Sequence, residues 1–230
     1  MGEVIAIIPA RGGSKRIPGK NIRDFHGRPM ISYPIEVAKQ SGLFDRILIS
    51  TDSLEVQKIA KGYGAEAPFI RPPELSDDFT PTAPVLLHSI EWLEENGIKA
   101  DIICCIYPTT PFLKAEDLKI GFDVVKNGKA NAAFSVTTFP APIFRALQVT
   151  DKGALKMFWP ENEYTRSNDL PQAYHDAGMF YWLETKSFRQ DKKVWAKDAH
   201  PVIIPRFRVQ DIDNPEDWEV AEKLYSLNRG

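Results

Sequence analysis

The sequence is poor in cysteine, with two cysteines among 230 residues. They are the neighbours Cys104 and Cys105, and neighbouring side chains on a strand point to opposite faces of its sheet. This arrangement suits neither a shared metal ion nor an ordinary disulfide. We therefore expect two buried, reduced thiols.

Long apolar runs and an excess of one charge are also missing. No segment approaches the roughly 20 apolar residues of a membrane-spanning helix, and the first residues show neither a basic leader nor a small-residue cleavage site. We therefore expect a cytoplasmic protein that does not bind a membrane. The formal net charge of −2 supplies no basic field for nucleic acid, so any anion must be bound locally.

Short apolar runs alternate with helical patterns along the chain. Runs rich in Ile and Val occupy residues 4–9, 46–50, 101–106 and 132–136, and apolar spacing predicts helices over residues 31–40, 54–61, 85–95 and 115–126. Strand-like runs resume at residues 179–183 and 201–205, before a last helix with Asn214 as N-cap and Pro215 as its first residue. The alternation predicts an α/β fold, with a Rossmann-like, mostly parallel sheet covered by helices on both faces.

Residues 137–175 interrupt this alternation. The segment contains four prolines, two short candidate strands around residues 151–153, and the aromatic residues Phe139, Phe144, Phe158 and Trp159. These rings could form a small core of the segment itself, but because the segment is short we favour the interpretation that they cover a partner subunit. The prediction is a core of residues 1–136 and 176–230, with residues 137–175 as a small inserted dimerisation subdomain of a homodimer.

The glycine-rich loop after the first predicted strand reads IIPARGGSKRIPGK over residues 7–20, and its cations are Arg11, Lys15, Arg16 and Lys20. Glycine lets backbone amides approach an anion, and Lys and Arg neutralise it, so the loop suits a triphosphate. It is not a P-loop, because five residues separate Gly13 from Gly19, and Pro18 excludes a dinucleotide fingerprint. A solvated basic loop is the alternative, but α/β sheets bind ligands where this loop lies, beyond the carboxyl end of a strand.

Asp211 and Asp213 form a second candidate site near the last helix. On an extended segment, residues two apart point to the same side, and paired carboxylates suit Mg²⁺. The alternative is that both acids only complement the N-terminus of the last helix. Spacing alone leaves both interpretations open.

Taken together, these segments resemble the acylneuraminate cytidylyltransferases, which activate sialic acids and related nine-carbon keto acids as CMP-sugars. The resemblance runs in order through ARGGSKRIPGKN at residues 10–21, STD at 50–52, RPPEL at 71–75, PTTP at 108–111 and DID at 211–213. It implies the fold of the nucleotide-diphospho-sugar transferases. It also implies in-line attack by the anomeric hydroxyl of the sugar on the α-phosphate of CTP, with release of pyrophosphate.

The resemblance also implies roles for individual residues. Lys20 and Arg11 would act in catalysis by stabilising charge on the phosphates, and Asp211 and Asp213 would hold Mg²⁺. Arg71 would contact the nucleotide, although a surface cation in a proline-rich turn is the alternative. The nucleotide-binding set implied is Arg11, Gly12, Gly13, Ser14, Lys15, Lys20, Asn21, Arg71 and Thr82.

The sugar-facing half differs from the N-acetylneuraminic acid enzymes, because Tyr107 replaces a glutamine and Ala177 an asparagine. The runs YHDAGMFY at residues 174–181 and CCIYP at residues 104–108 resemble the pseudaminic acid branch of the family. Arg166 would grip the sugar carboxylate in its own or a partner's site, and His175 is a weaker candidate for a proton acceptor. The sugar-binding set implied is Tyr107, Arg166, Tyr174, His175 and Tyr181.

Two other functions remain open at this point. One is CMP-activation of another acid sugar, namely legionaminic, N-acetylneuraminic or 3-deoxy-octulosonic acid; legionaminic acid carries the same functional groups as pseudaminic acid. The other is a nucleotide-binding regulator without turnover. Lys20, Asp211 and Asp213 argue against the regulator, because a sensor does not need a metal pair.

Overall fold

The computed structural model describes residues 2–227. Its centre is a six-stranded sheet made of β1 (Glu3–Pro9), β4 (Arg46–Ser50), β5 (Ala100–Ile106), β6 (Ala132–Thr138), β9 (Tyr174–Glu184) and β10 (His200–Ile203). Four shorter strands form two separate hairpins: β2 (Asp24–Phe25) with β3 (Arg28–Pro29), and β7 (Leu147–Val149) with β8 (Leu155–Met157).

The strand order in the sheet is β10-β6-β9-β5-β1-β4. β1 runs parallel to β4 and β5, and β10 runs parallel to β6. β9 is antiparallel to both of its neighbours, because the chain leaves β6 at one end of the sheet and returns beside it. The predicted mostly parallel sheet is therefore confirmed, with one antiparallel strand inside it.

Helices cover both faces, as predicted. Their bounds are α1 (Ser32–Ser41), α2 (Leu54–Gly62), α3 (Thr82–Glu95), α4 (Ala115–Lys126), α5 (Thr185–Asp191) and α6 (Pro215–Leu227). Buried residues of α1, α2, α4 and α6 share one hydrophobic core, and those of α3 and α5 share the other. Cys104 lies in the first core and Cys105 in the second, both fully buried, and burial raises the pKa of both thiols.

Two helix starts bear on the site. α3 begins at Thr82, three residues before the predicted start, so Thr82 lies at a helix N-terminus beside the sheet. α6 begins as predicted: the Asn214 Oδ1 accepts from the Asp217 backbone N–H at 3.0 Å, and the Asn214 N–H donates to Asp217 Oδ2 at 2.9 Å. This reciprocal cap fixes the direction in which the chain leaves residues 211–213.

The segment between β6 and β9 lies outside the main sheet. Thr138 pairs with Tyr174, so the sheet includes residues 137–138 and 174–175, and residues 139–173 carry the β7–β8 hairpin. Phe144 and Phe158 each lie against Trp159, with ring centroids 5.7 and 5.8 Å away. Several large apolar side chains of the segment remain exposed: Leu147, Val149, Leu155, Phe158 and Tyr164.

Within residues 2–227, no helix is long and apolar enough to cross a membrane.

Candidate active site

A cleft of about 370 Å³ lies at the carboxyl ends of β1 and β5. It gathers residues that are far apart in the sequence, because β1, β4 and β5 are adjacent parallel strands whose following loops meet at one edge. An adjoining cavity of about 320 Å³ extends along the glycine-rich loop. Of the predicted site residues, these two spaces bring together Arg11, Ser14, Lys15, Lys20, Asn21, Arg71, Thr82, Tyr107, Asp211 and Asp213.

The glycine-rich loop is held in place by hydrogen bonds at both ends. The Gly12 N–H donates to Asp52 Oδ1 at 2.8 Å, and Asn21 Nδ2 donates to the Arg11 carbonyl at 2.8 Å. A Cβ at Gly12 would lie 2.8 Å from the Cβ of Ser53, so this position requires glycine. The buried Asn21 therefore shapes the loop from behind, whatever further contact it makes with a nucleotide.

The outer cations of the loop are paired with a carboxylate that the sequence interpretation missed. Arg11 Nη1 lies 2.6 Å from Asp78 Oδ1 and donates to the Asp77 carbonyl at 2.7 Å, while Lys15 Nζ lies 2.5 Å from Asp78 Oδ2. Hydrogen bonds from Lys15 and Arg11 lower the pKa of Asp78. The sequence signal was the adjacent acidic pair in the loop before α3, at residues 77–78.

Lys20 lies deeper and joins the loop to the acidic segment before α6. Its Nζ donates to the Ile212 carbonyl at 2.6 Å and lies 3.6 Å from Asp213 Oδ1. Burial lowers the pKa of Lys20, although Asp213 and Asp211 act in the opposite direction. Partial removal from water, reinforced by Asp213, raises the pKa of Asp211. The cleft thus holds two neighbouring carboxylates, Asp211 and Asp213, beside the Lys20 ammonium, which is partly removed from water.

The donor set of this acidic segment fits Mg²⁺ bound to a nucleotide. Asp211 and Asp213 both line the cleft, but residues 2–227 contain no group of three or more His, Cys, Asp or Glu side chains placed to hold a metal. Mg²⁺ is commonly bound by one or two carboxylates together with substrate phosphates and water. Two carboxylates beside a glycine-rich loop with several cations match that pattern.

Arg71 is 3% exposed. It is therefore not the exposed surface cation of the alternative interpretation. Its Nε donates to Ser76 Oγ at 3.1 Å, and it lines the cleft. Burial lowers the pKa of Arg71, while Asp52 raises it and Arg11 lowers it further. A guanidinium kept from water beside a cleft strongly favours contact with a polar or anionic ligand.

A second cavity of about 370 Å³ adjoins the cleft. Thr82 and Tyr107 line both spaces, and the Thr82 Oγ1 lies 3.0 Å from the Tyr107 hydroxyl. Tyr181 lies at the back of the second cavity, with its ring centroid 5.5 Å from that of Tyr107. Lys192, Lys193 and Trp195 also line this cavity and were missed by the sequence interpretation; the adjacent lysines after α5 were their signal.

Three predicted sugar-binding residues lie outside these spaces in the single chain. The Arg166 side chain is 79% exposed and lies 3.9 Å from Asp169. Tyr174 is exposed, and the His175 ring packs against Phe139 with centroids 4.9 Å apart. All three lie in or beside the inserted segment, so their contact with a sugar stays a prediction that depends on a second subunit.

Proteins with similar sequences identify the family of this chain. The family model described as "Cytidylyltransferase" matches residues 5–228. A pseudaminic acid cytidylyltransferase of Campylobacter jejuni subsp. jejuni serotype O:2 is 41% identical over 97% of both chains, and a CMP-N,N'-diacetyllegionaminic acid synthase of Legionella pneumophila is 29% identical over 98% of this chain and 97% of its own.

A solved structure has the same fold at low sequence identity. It is a CMP:2-keto-3-deoxy-manno-octonic acid synthetase complexed with CTP, 17% identical, with a TM-score of 0.70 over 99% of this chain and 100% of the other. Because the family model spans nearly all of the sequence and a full-length relative is 41% identical, the chain belongs to the cytidylyltransferase family.

Proposed function

We propose that this protein couples CTP and pseudaminic acid to form CMP-pseudaminic acid and pyrophosphate. The observation that carries the proposal is the junction of two spaces: a cleft lined by Arg11, Lys20 and paired aspartates opens past Thr82 and Tyr107 into a cavity with tyrosine and lysine side chains. The full-length relative named as a pseudaminic acid cytidylyltransferase, 41% identical, supports this choice of sugar.

In this proposal the nucleotide occupies the cleft and its triphosphate lies along the glycine-rich loop. Arg11 and Lys15 bind phosphate oxygens in place of Asp78, and Lys20 neutralises charge that develops at the α-phosphate. Asp211 and Asp213 hold Mg²⁺, which supplies charge neutralisation for the phosphates when bound. Arg71 contacts the nucleoside end of the cleft.

The sugar occupies the second cavity, with its anomeric hydroxyl at the junction. The cavity volume of about 370 Å³ lies in the usual range for a small-molecule site. Lys192 and Lys193 favour an acidic ligand, and the tyrosine faces favour a sugar with a deoxy carbon and acylamino groups. The new P–O bond forms from the anomeric oxygen, which loses its proton, while the bond from the α-phosphorus to pyrophosphate breaks.

We also propose that the protein is a homodimer and, because it uses a cytoplasmic nucleotide, that it acts in the cytoplasm. The support for the dimer is the exposed apolar surface of residues 139–173, which includes Leu155 at 69% and Tyr164 at 91% exposure. In the dimer, Arg166 binds the sugar carboxylate in the partner's site. Mixing inactive Lys20→Ala and Arg166→Ala chains should then restore part of the activity; no restoration would argue against a shared site.

The function is tested by pyrophosphate release from CTP and Mg²⁺ with pseudaminic, legionaminic, N-acetylneuraminic and 3-deoxy-octulosonic acids in parallel. We expect release with pseudaminic acid, and a background rate for Lys20→Ala as the matched negative control. Release with legionaminic acid alone would support the proposed reaction but identify legionaminic acid, not pseudaminic acid, as the sugar substrate. No release with any acid, together with tight CTP binding, would favour a nucleotide-binding regulator.

A further inference from the structure

The four cations of the glycine-rich loop divide between two acidic side chains that come from different segments. The outer two cations pair with Asp78. The other two pair with Asp213, where Arg16 Nη2 lies 3.1 Å and Lys20 Nζ 3.6 Å from the same oxygen, Oδ1. Both acids line the cavity along the loop, so the protein itself supplies a carboxylate for each of these cations.

The loop sends two neighbouring side chains, Lys15 and Arg16, to these different acids. Lys15 reaches Asp78 in the segment before α3, whereas Arg16 reaches Asp213 in the segment before α6. Ile17 follows them and is 1% exposed within the first core, and its carbonyl accepts a backbone N–H three residues on at 3.1 Å. The anchored turn after Arg16 therefore keeps this side chain beside the paired aspartates.

The two cations at Asp213 differ in how readily they can leave it. The Lys20 side chain is 20% exposed, and it also donates to the Ile212 carbonyl at 2.6 Å, so a second contact holds it in the same place. The Arg16 side chain is 66% exposed, and an exposed ion pair changes an equilibrium constant by only about 1.4- to 5-fold. Arg16 can therefore exchange Asp213 for another anion, while Lys20 stays.

A triphosphate along the loop would bring further negative charge into the cavity that Asp213 lines. Like charges in one small cavity repel, and the repulsion falls when Arg16 turns to a phosphate oxygen and Asp213 binds a divalent cation instead. Each exchange favours the other. A cation that binds first meets the guanidinium charge, and a phosphate that binds first leaves the carboxylate without a partner, so the two ligands assist each other's binding.

We propose that Arg16 competes with the metal for Asp213 and so makes metal binding depend on the nucleotide. The inference rests on the proposed function, in which the triphosphate lies along the glycine-rich loop and the paired aspartates hold Mg²⁺. Without nucleotide, Arg16 stays at Asp213 and lowers the affinity of this carboxylate for a divalent cation. With nucleotide, Arg16 contacts a phosphate oxygen and leaves the carboxylate to the cation.

Arg16→Gln tests the inference through two binding measurements, each made with one ligand. Water-proton relaxation with Mn²⁺, which prefers the same oxygen ligands as Mg²⁺, measures metal binding without nucleotide. Calorimetry of CTP in EDTA measures nucleotide binding without metal. We expect the dissociation constant for Mn²⁺ to fall about fivefold, because the competing guanidinium and its repulsion are gone, and that for CTP to rise about threefold, because a phosphate loses its cation.

Lys15→Gln is the matched control, because it removes the same charge from the neighbouring residue. Lys15 pairs with Asp78 and not with Asp213, so its loss should change the dissociation constant for Mn²⁺ by less than about 1.5-fold. Asp213→Asn locates the bound ion. It should weaken Mn²⁺ binding by about tenfold or more, since even an outer partner of a metal ligand typically contributes that much.

Opposite changes in the two affinities are the signature of the proposed competition. Weaker CTP binding with unchanged Mn²⁺ binding would make Arg16 a simple phosphate contact and overturn the inference, and weaker binding of both ligands would overturn it by indicating a structural role. Mn²⁺ binding that survives Asp213→Asn, or that is undetectable with and without Arg16, would overturn it as well.

The failure of the inference and the failure of the proposed function give different results. If the wild-type chain releases pyrophosphate from CTP and an acid sugar, any of those outcomes removes the role of Arg16 and leaves the reaction in place. If the wild-type chain neither binds CTP nor releases pyrophosphate, the proposed function fails, and the inference fails with it.

Discussion

Asp78→Asn should strengthen CTP binding, because in the proposed binding mode Asp78 competes with the triphosphate for two cations of the glycine-rich loop. Its carboxylate lies 2.6 Å from Arg11 and 2.5 Å from Lys15. An asparagine of the same shape keeps the local packing and removes the negative charge. Arg11 retains its hydrogen bond to the Asp77 carbonyl at 2.7 Å, so the loop itself should not move.

The exposure of the three side chains sets the size of the effect. An exposed ion pair changes an equilibrium constant by about 1.4- to 5-fold. The Lys15 side chain is 83% exposed, so we assign the Lys15–Asp78 pair the lower end of this range. The Arg11 and Asp78 side chains are 33% and 27% exposed, so we assign the Arg11–Asp78 pair the upper end. The dissociation constant for CTP should therefore fall about sevenfold, and the gain should shrink in high salt.

Isothermal titration of CTP with Mg²⁺, without sugar, measures this change directly. Asp77→Asn is the matched control, because it removes the same charge one residue away. The Asp77 carboxylate caps its own turn through the Phe79 N–H and the Thr80 N–H and hydroxyl, and an amide oxygen can replace it there. An unchanged affinity for Asp78→Asn, or an equal gain for Asp77→Asn, would refute the reasoning.

Three further predictions concern the cleft and its support. Lys20→Ala should lower kcat by about 100-fold or more while weakening CTP binding by less than about tenfold; equal losses, measured by kinetics and calorimetry, would make Lys20 a simple phosphate clamp. Asp211→Asn should abolish turnover yet raise Tm at pH 7, because the pKa of Asp211 is raised in the folded state and its ionised form favours unfolding. The stabilisation should vanish below about pH 3.8, where this carboxyl is protonated in both states, and the absence of any gain at pH 7 would contradict the assignment. Arg208→Ala should cost about 3–5 kcal/mol in urea unfolding, because it removes both hydrogen bonds of 2.7 and 2.9 Å from Arg208 to the buried Asp117 carboxylate and leaves that charge without its cation; a loss below about 1 kcal/mol, as expected of an exposed pair, would contradict it.

The layered fold could be predicted because it follows from local apolar patterns. Continuous Ile and Val runs indicate strands that are buried on both faces, and helices with one apolar side must cover them. The neighbours Cys104 and Cys105 illustrate this logic, since they contribute to different cores. The reversed direction of β9 was not predictable in this way, because an apolar run carries no information about strand direction.

Much of the cleft depends on contacts between distant segments, which a sequence pattern does not encode. Arg71 looks like a surface residue within RPPEL, yet the fold buries it to 3% exposure. Asp78 meets Arg11 across more than sixty positions, so neither residue alone indicates the pair. Regular alternation would even separate Asp176 from Tyr181, and only a bulge around Gly178 lets their side chains hydrogen-bond.

The pairing of Thr138 with Tyr174 has a consequence for how this enzyme can change over evolutionary time. Because β6 and β9 are neighbours there, residues 139–173 leave the sheet and rejoin it at almost the same point. Lengthening a flexible loop whose ends are already adjacent costs little free energy, about 0.6 kcal/mol for each doubling of its length. The sequence and length of this segment can therefore change, and with them the surface that it exposes, while the cleft at the carboxyl ends of β1 and β5 stays as it is.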